Sequence, residues 1–200
     1  MSSAAPAHGE EPILSALEAA GFPSRSLADL RHSGLRYRQA VPVLVDWLSR
    51  VTDSKVKGEI VRALSVPWAK PIATEALIRE FRQVETAADP TGTGLRWTIG
   101  NALEVLFDDA NFEAFADLAR DEHYGKARQM VVLGLGKSKR PEAVEVLLEL
   151  IDDPDVDGQA VKALAKLKAP NARSALEGKL TDGRAWVRSE ARRGLAKLPP

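Results

Sequence analysis

The chain lacks cysteine altogether. This absence excludes disulfide bonds, thiolate catalysis and zinc sites bound by sulfur. Histidine is scarce as well, and the three copies, His8, His32 and His123, are too scattered to suggest a metal site. The phosphate-binding and nucleophile-elbow motifs of common enzymes are also missing. We therefore expect no catalytic residue, no metal and no cofactor.

Long apolar runs and a net charge are missing too. No segment approaches the roughly 18 consecutive apolar residues that a membrane span needs. The chain has 28 basic and 28 acidic residues, so its overall charge favours neither nucleic acid nor a membrane surface as partner. Its first residues lack the basic and apolar regions of a secretion signal. We expect a cytoplasmic protein with a disordered leader over residues 1–10 and a single domain over residues 11–198.

What the sequence does contain is a nine-residue frame that occurs five times. Its copies begin at positions 56, 95, 127, 156 and 187, so the successive spacings are 39, 32, 29 and 31 residues. Slots 1, 5, 8 and 9 of the frame are apolar or small, which is the stripe of an amphipathic helix. Slot 8 is always Ala or Gly, which predicts a close approach by a neighbouring helix. The copies are VKGEIVRAL, LRWTIGNAL, ARQMVVLGL, VDGQAVKAL and VRSEARRGL.

A second helix follows most copies of the frame and completes a hairpin. Pro71, Pro141 and Pro170 open segments that share Ala two residues later and Leu six residues later. Proline suits the first turn of a helix, and the short connections predict antiparallel neighbours. Sustained period-2 alternation, the signal of a strand, is absent. The sequence thus predicts an all-α protein in which each hairpin has an A helix, which carries the frame, and a B helix.

Paired helices with this frame resemble the short HEAT-like repeats of the phycobilisome-lyase type, over roughly residues 38–198. The resemblance implies a right-handed α-solenoid, an αα-superhelix, of about five hairpins, with A helices on the convex side and B helices on the concave side. Such solenoids mostly bind proteins, some bind nucleic acid and a minority are enzymes. We expect a non-catalytic protein-interaction scaffold, monomeric or weakly oligomeric. The alternatives are nucleic-acid binding, including a DNA-repair glycosylase type, and a lyase-like factor that matures a client protein.

Residues 83–94 are the predicted insertion that stretches one spacing to 39 residues. Insertions in solenoids emerge on one face and often carry the recognition surface, although some are only tolerated loops. This insertion leads into Arg96, Trp97 and, one turn later, Asn101, where we expect a contact site. Trp186 lies where other copies carry polar residues, so it is either a binding anchor or a cap on the C-terminal end.

Slot 2 is basic in four of the five copies. This row of residues predicts either a polyanion track, a surface that binds the phosphates of a nucleic acid, or a structural ladder in which each basic side chain pairs with an Asp of a turn. The slot-2 residues are Lys57, Arg96, Arg128, Asp157 and Arg188, and the candidate ladder partners are Asp53, Asp121, Asp153 and Asp182.

The polar positions of the middle B helices are mainly acidic, whereas the segment from Gly158 onwards has ten basic and three acidic residues. If B helices line the concave side, the groove is negative, which favours a basic protein partner over DNA. The full set of expected contact residues is Glu75, Arg96, Trp97, Asn101, Glu113, Glu142, Glu145, Trp186 and Arg188.

Overall fold

A computed structural model of the chain describes residues 9–85, 89 and 94–199, and every regular element in those ranges is helical. Most of the predicted leader and of the predicted insertion therefore lies outside the described residues. Tertiary contacts divide the chain into two compact units, Met1–Leu106 and Phe107–Pro200. The single domain expected over residues 11–198 stays a prediction, and each unit is described by itself.

The first unit is a stack of helices in two layers. Helices α2, α4 and α6 pack side by side in one layer, and α1, α3 and α5 pack in the other. The layers are joined where α3 packs on α4 and α5 packs on α6. The helices are α1 (Glu11–Ala19), α2 (Leu27–His32), α3 (Val41–Arg50), α4 (Ser54–Leu64), α5 (Ile72–Gln83) and α6 (Leu95–Leu106).

The second unit repeats this arrangement. Helices α8, α10 and α12 form one layer, α7 packs on α9 in the other, and α7, α9 and α11 pack against α8, α10 and α12 respectively. Every copy of the frame lies in or at the start of an A helix, namely α4, α6, α8, α10 or α12. The helices are α7 (Phe112–Arg120), α8 (Gln129–Leu135), α9 (Glu142–Glu149), α10 (Asp157–Leu167), α11 (Arg173–Gly178) and α12 (Ala185–Leu195).

Stacked helical hairpins are the hallmark of an α-solenoid, so the predicted fold class is confirmed, while the right-handed superhelix stays a prediction. The core follows the frame because the apolar stripe of each A helix is removed from water. Slot 5 is completely buried in all five copies, at Ile60, Ile99, Val131, Ala160 and Ala191. Slots 1 and 9 are buried too, except for the partly exposed Leu95 and Leu195.

Polar side chains cap the N-terminal ends of several helices. The Asp53 carboxylate caps α4 by accepting the backbone amides of Lys55 (2.8 Å) and Val56 (3.0 Å). The Ser26 hydroxyl caps α2 by accepting the amide of Asp29 at 3.0 Å. The B helices start slightly later than predicted, because Pro71 and Pro141 precede the first helical residue and Pro170 opens a short 3₁₀ turn before α11.

Slot 8 is small because neighbouring helices meet there. A Cβ atom on Gly194 of α12 would lie 2.9 Å from the Cβ of Ala165 and 3.1 Å from its Cα, and 2.9 Å from a methyl carbon of Leu176. Carbon atoms do not approach that closely, so α12 could accept a larger residue only by moving away from α10. The close approach predicted from the frame is confirmed at this position.

We predict that Gly194→Ala lowers the free energy of unfolding by about 1–3 kcal/mol, because the added methyl overpacks the contact between α10 and α12. The matched control is Gly178→Ala, since a Cβ on Gly178 in α11 would meet nothing within 4 Å. We expect the control to change stability by less than about 0.5 kcal/mol. Urea denaturation of both variants measures the difference, and equal stabilities would contradict the prediction.

Candidate functional site

The slot-2 arginine of α6 is buried. Arg96 is 2% exposed, and its guanidinium donates to the carbonyl oxygens of Phe81 (3.2 Å) and Val84 at the C-terminal end of α5. Those carbonyls form the negative end of the helix dipole and have no partner within the helix, so a cation stabilises them. Arg96 therefore caps the C-terminal end of α5. It is not available as the surface anchor that we expected from its position beside the insertion.

Arg128 does the same in the second unit. Its side chain is 1% exposed and donates to the carbonyl oxygens of Ala119 (2.9 Å), at the end of α7, and Gly125 (3.0 Å). Its Nη1 atom also lies 2.7 Å from Oδ2 of Asp153, one of the predicted ladder partners. The buried charge is thus neutralised by an ion pair and two carbonyl groups, as a buried guanidinium requires.

The remaining slot-2 residues are engaged as well. Lys57 pairs with Glu80 of α5, and Arg188 donates to the carbonyl oxygens of Asp182 (2.6 Å) and Gly183 (3.0 Å). These contacts fit the structural-ladder hypothesis, with the difference that most partners are backbone carbonyls instead of turn carboxylates. A polyanion track at slot 2 would require these basic groups to be free for phosphates, whereas Arg96 and Arg128 are buried and Lys57 and Arg188 are engaged within the protein.

We predict that Arg128→Ala lowers the free energy of unfolding by about 3–5 kcal/mol, because it leaves a carboxylate and two carbonyl groups without their buried cation. The matched control is Arg120→Ala, whose ion pair with Glu149 (2.7 Å) is about half exposed on both sides. Such a surface pair is worth about 1 kcal/mol or less. Chemical denaturation compares the two, and a loss below about 1 kcal/mol for Arg128→Ala would contradict the ladder.

Trp97 and Asn101 lie one turn apart on α6, and both are partly exposed. The Asn101 amide donates to the carbonyl oxygen of Trp97 at 2.9 Å, a bond within the same helix. Glu75 is exposed on α5, which packs on α6. Of the contact site predicted beside the insertion, Trp97 and Asn101 reach the surface, and their role in binding stays a prediction.

Trp186 covers part of the neighbouring helix. A Cβ atom on Gly158 of α10 would collide with the outer carbons of the Trp186 indole, so the ring occupies the space that the glycine leaves free. The residue nevertheless remains 45% exposed, and the Arg184 guanidinium lies 5.9 Å from the centre of its ring. The contact places the ring between α10 and α12, and both roles considered for Trp186, the cap on the C-terminal end and the binding anchor, stay predictions.

Two carboxylates hold Arg184 beside this ring. Arg184 donates to Asp182 through Nε (2.9 Å) and Nη2 (2.8 Å), and through Nη1 to Asp157 (2.9 Å). The hydrogen bonds from Arg184 hold the pKa of Asp182 well below its ordinary value of 3.8. A carboxyl with a lowered pKa stabilises the folded state above its ordinary value, and the contribution is lost as the pH falls through the folded-state pKa.

We predict that Arg184→Gln is less stable than the wild type at neutral pH and that the gap is smaller at about pH 3, because Asp182 of the unfolded chain takes up a proton below its ordinary pKa of 3.8. The cause is the return of the pKa of Asp182 towards 3.8 once the guanidinium is removed. Urea denaturation at both pH values measures the gap, with Arg193→Gln at the exposed Glu190 pair as control. A gap that is independent of pH would contradict the prediction.

Helices α7 and α9 together carry an acidic surface. All its carboxylates are exposed, and they are Glu113 and Asp117 on α7 and Glu142, Glu145 and Glu149 on α9. Arg140 pairs with Glu113 (2.8 Å) and Glu142 (3.0 Å), and Arg120 pairs with Glu149. These arginines lower the pKa of Glu142 and of Glu149. Five carboxylates against two guanidinium groups leave the acidic surface with a net negative charge.

A groove that the sequence analysis missed lies between α4 and α6. Its volume is about 570 Å³, and Gly58 and Gly94 form part of its lining. The available signal was that Gly58 is slot 3 of the first copy of the frame and Gly94 directly precedes slot 1 of the second copy. The other lining residues are Ser54, Lys55, Glu59, Arg62, Leu95 and Thr98.

Within the ranges that the structure describes, no group of three or more His, Cys, Asp or Glu side chains is arranged to hold a metal ion. None of the described helices combines the length and apolar character needed to cross a membrane.

Comparison with known proteins supports the repeat. A family model described as HEAT repeats matches residues 94–196, half of the chain. The search of curated proteins found no match. The crystal structure of an engineered protein from the Northeast Structural Genomics Consortium is similar in fold, with a TM-score of 0.56 and 21% sequence identity over 94% of this chain and 89% of that chain. The narrower resemblance to the phycobilisome-lyase type stays a prediction.

Proposed function

The chain belongs to the HEAT-repeat family, and we propose that it is a non-catalytic protein-interaction module. In this proposal the acidic surface on α7 and α9 binds a basic segment of a partner protein. HEAT repeats generally present a surface of stacked helices to a partner, and this chain supplies such a surface with a net negative charge.

The observation that supports the proposal best is the arrangement of charge along the two packed helices. Arg140 sits at one end of the acidic surface between Glu113 and Glu142, and the pair of Arg120 and Glu149 lies seven residues further along both helices. Asp117 and Glu145 lie between these two sites in the sequence. Neither has an ion pair within the described part of the chain, so both carboxylates are available to a cation from outside.

The intramolecular pairs indicate how a partner would be held. Arg140 is shared by carboxylates of α7 and α9, and its guanidinium also lies 4.2 Å from the centre of the Phe112 ring. In the proposal, a Lys or Arg side chain from a partner binds Asp117 or Glu145, the exposed carboxylates between these two pairs in the sequence. Since both residues belong to regular helices, little conformational entropy is lost on binding.

The nucleic-acid alternative is less well supported. Of the basic residues that it would use, Lys57, Arg96, Arg128 and Arg188 are engaged within the protein. Arg192 and Arg193 are exposed, and Arg193 pairs with Glu190 at 3.0 Å. The charge that faces solvent on α7 and α9 would repel phosphates.

We predict that the wild type binds a Lys- and Arg-rich peptide more tightly than a Glu-rich peptide of equal length, and that the double variant Asp117→Lys, Glu145→Lys weakens this binding about tenfold or more. Fluorescence anisotropy of the labelled peptides at low and physiological salt measures the affinities. A steep fall with salt is expected because the contact is electrostatic.

The matched control is the double variant Glu18→Lys, Asp46→Lys, which makes the same change of net charge at exposed positions of α1 and α3. An equal loss of affinity in both double variants would show that only the total charge matters and would contradict the proposed site. Labelled duplex DNA serves as a third ligand, and tighter binding to DNA than to the basic peptide would favour the nucleic-acid alternative.

A further inference from the structure

Neighbouring A helices contact each other through a repeated pair of positions. Slot 3 of one A helix meets the residue just before slot 1 of the next, which we call slot 0. Between α8 and α10 the Gln129 side chain donates to the carbonyl oxygen of Asp155 at 2.7 Å. Between α10 and α12 the indole of Trp186 covers Gly158. In both cases the two positions fill the space between the helices.

Helices α4 and α6 have glycine at both of these positions. Gly58 is slot 3 of α4, and Gly94 is slot 0 of α6. A Cβ atom on Gly58 would have as its nearest neighbour only the Nη1 atom of Arg62, at 3.2 Å, the mobile end of a long side chain. The groove of about 570 Å³ lies beside Gly58, where α4 contributes no side chain, and Gly94 lines it with backbone, because the Cβ position of Gly94 faces the Asp89 carboxylate at 3.1–3.3 Å.

We propose that this Gly58–Gly94 groove binds a tryptophan side chain of a partner protein, in the way that Trp186 covers Gly158 within the chain. The proposal rests on the role as a protein-binding module but not on the acidic surface of α7 and α9. The volume lies within the range of ligand pockets, and tryptophan is a frequent anchor of protein interfaces. Leu95 and the carbon stems of Lys55 and Arg62 supply apolar contact for an indole.

The charges around the groove define the rest of the partner segment. Lys55 is exposed, and the Arg62 side chain is 46% exposed. Glu59 is held by Arg62 at 2.7 Å and by Arg31 at 3.7 Å, so its charge is compensated. The rim therefore keeps a positive charge, which favours Asp or Glu next to the bound tryptophan. A guanidinium near the indole also repeats the arrangement of Arg184 beside Trp186.

The probe is a short peptide with one central Trp between Asp and Glu residues. Two control peptides replace the Trp by Ala or the acidic residues by Lys. In a titration followed by two-dimensional NMR, we expect the acidic Trp peptide to shift the amide signals of Gly58, Gly94 and Thr98. Both control peptides should bind about tenfold more weakly or worse. Absence of these shifts at millimolar peptide, or equal binding of the Ala peptide, would overturn the proposal.

The blocking variant is Gly58→Leu, which adds a side chain to the groove at a position where a Cβ atom would meet only the Arg62 side chain. The matched control is Gly178→Leu, at a glycine with no neighbour within 4 Å of its Cβ position. We expect Gly58→Leu to lose the Trp peptide by about tenfold or more and Gly178→Leu to retain it. Equal affinity in the two variants would overturn the proposal.

Lys55→Glu is a second variant that alters only an exposed position at the rim of the groove. It tests the proposal even if Gly58→Leu does not fold. It should weaken the acidic Trp peptide several-fold while improving the Lys-flanked one. No change in either affinity would overturn the proposal. The basic peptide of the previous section is measured on the same variants, and its unchanged binding separates a failure of the groove from a failure of the acidic surface.

Discussion

The spacing between neighbouring A helices depends on positions that carry little or no side chain. Gly194 lies against Ala165, a Cβ on Gly136 would meet the Cα of Ala163 at 2.9 Å, and Gly158 lies under an indole ring. Because the first two of these contacts are made by backbone and short side chains, a shift of one helix towards the other would produce steric overlap. The exposed residues of α7 and α9 are carried by this stack, so their positions are fixed before any partner arrives.

The basic residues of slot 2 stabilise helix ends, although their regular spacing is also the spacing expected of a phosphate-binding surface. A hairpin ends its B helix with carbonyl groups that have no amide partner, close to the start of the next A helix. An arginine at slot 2 reaches these carbonyls, as Arg96 does at the end of α5 and Arg128 at the end of α7. The regular spacing that suggested a track for phosphates is therefore explained by the regular spacing of helix ends.

The fold was predictable because the repeated frame indicates which residues face the core. The slot-5 residue is buried in all five copies. The surface was less predictable for a physical reason. A residue at the edge of the apolar stripe can turn inwards or outwards, and the sequence of α6 does not say that Arg96 turns inwards while Trp97 stays partly exposed. The groove at Gly58 and Gly94 was missed because its origin lies in a comparison between two helices, whereas Gly94 alone reads as the end of an insertion.

The paired positions between A helices also carry information about order. Gln129 is matched to a backbone carbonyl, whereas Gly158 is matched to a large ring, and these partners are not interchangeable. A hairpin docked beside the wrong neighbour would bring the Trp186 ring against the long Gln129 side chain and leave the hollow over Gly158 empty. Near-identical repeats run a constant risk of mispairing during folding. The junctions of α8 with α10 and of α10 with α12 thus each have their own complementary pair, which distinguishes them while slot 5 is buried in both.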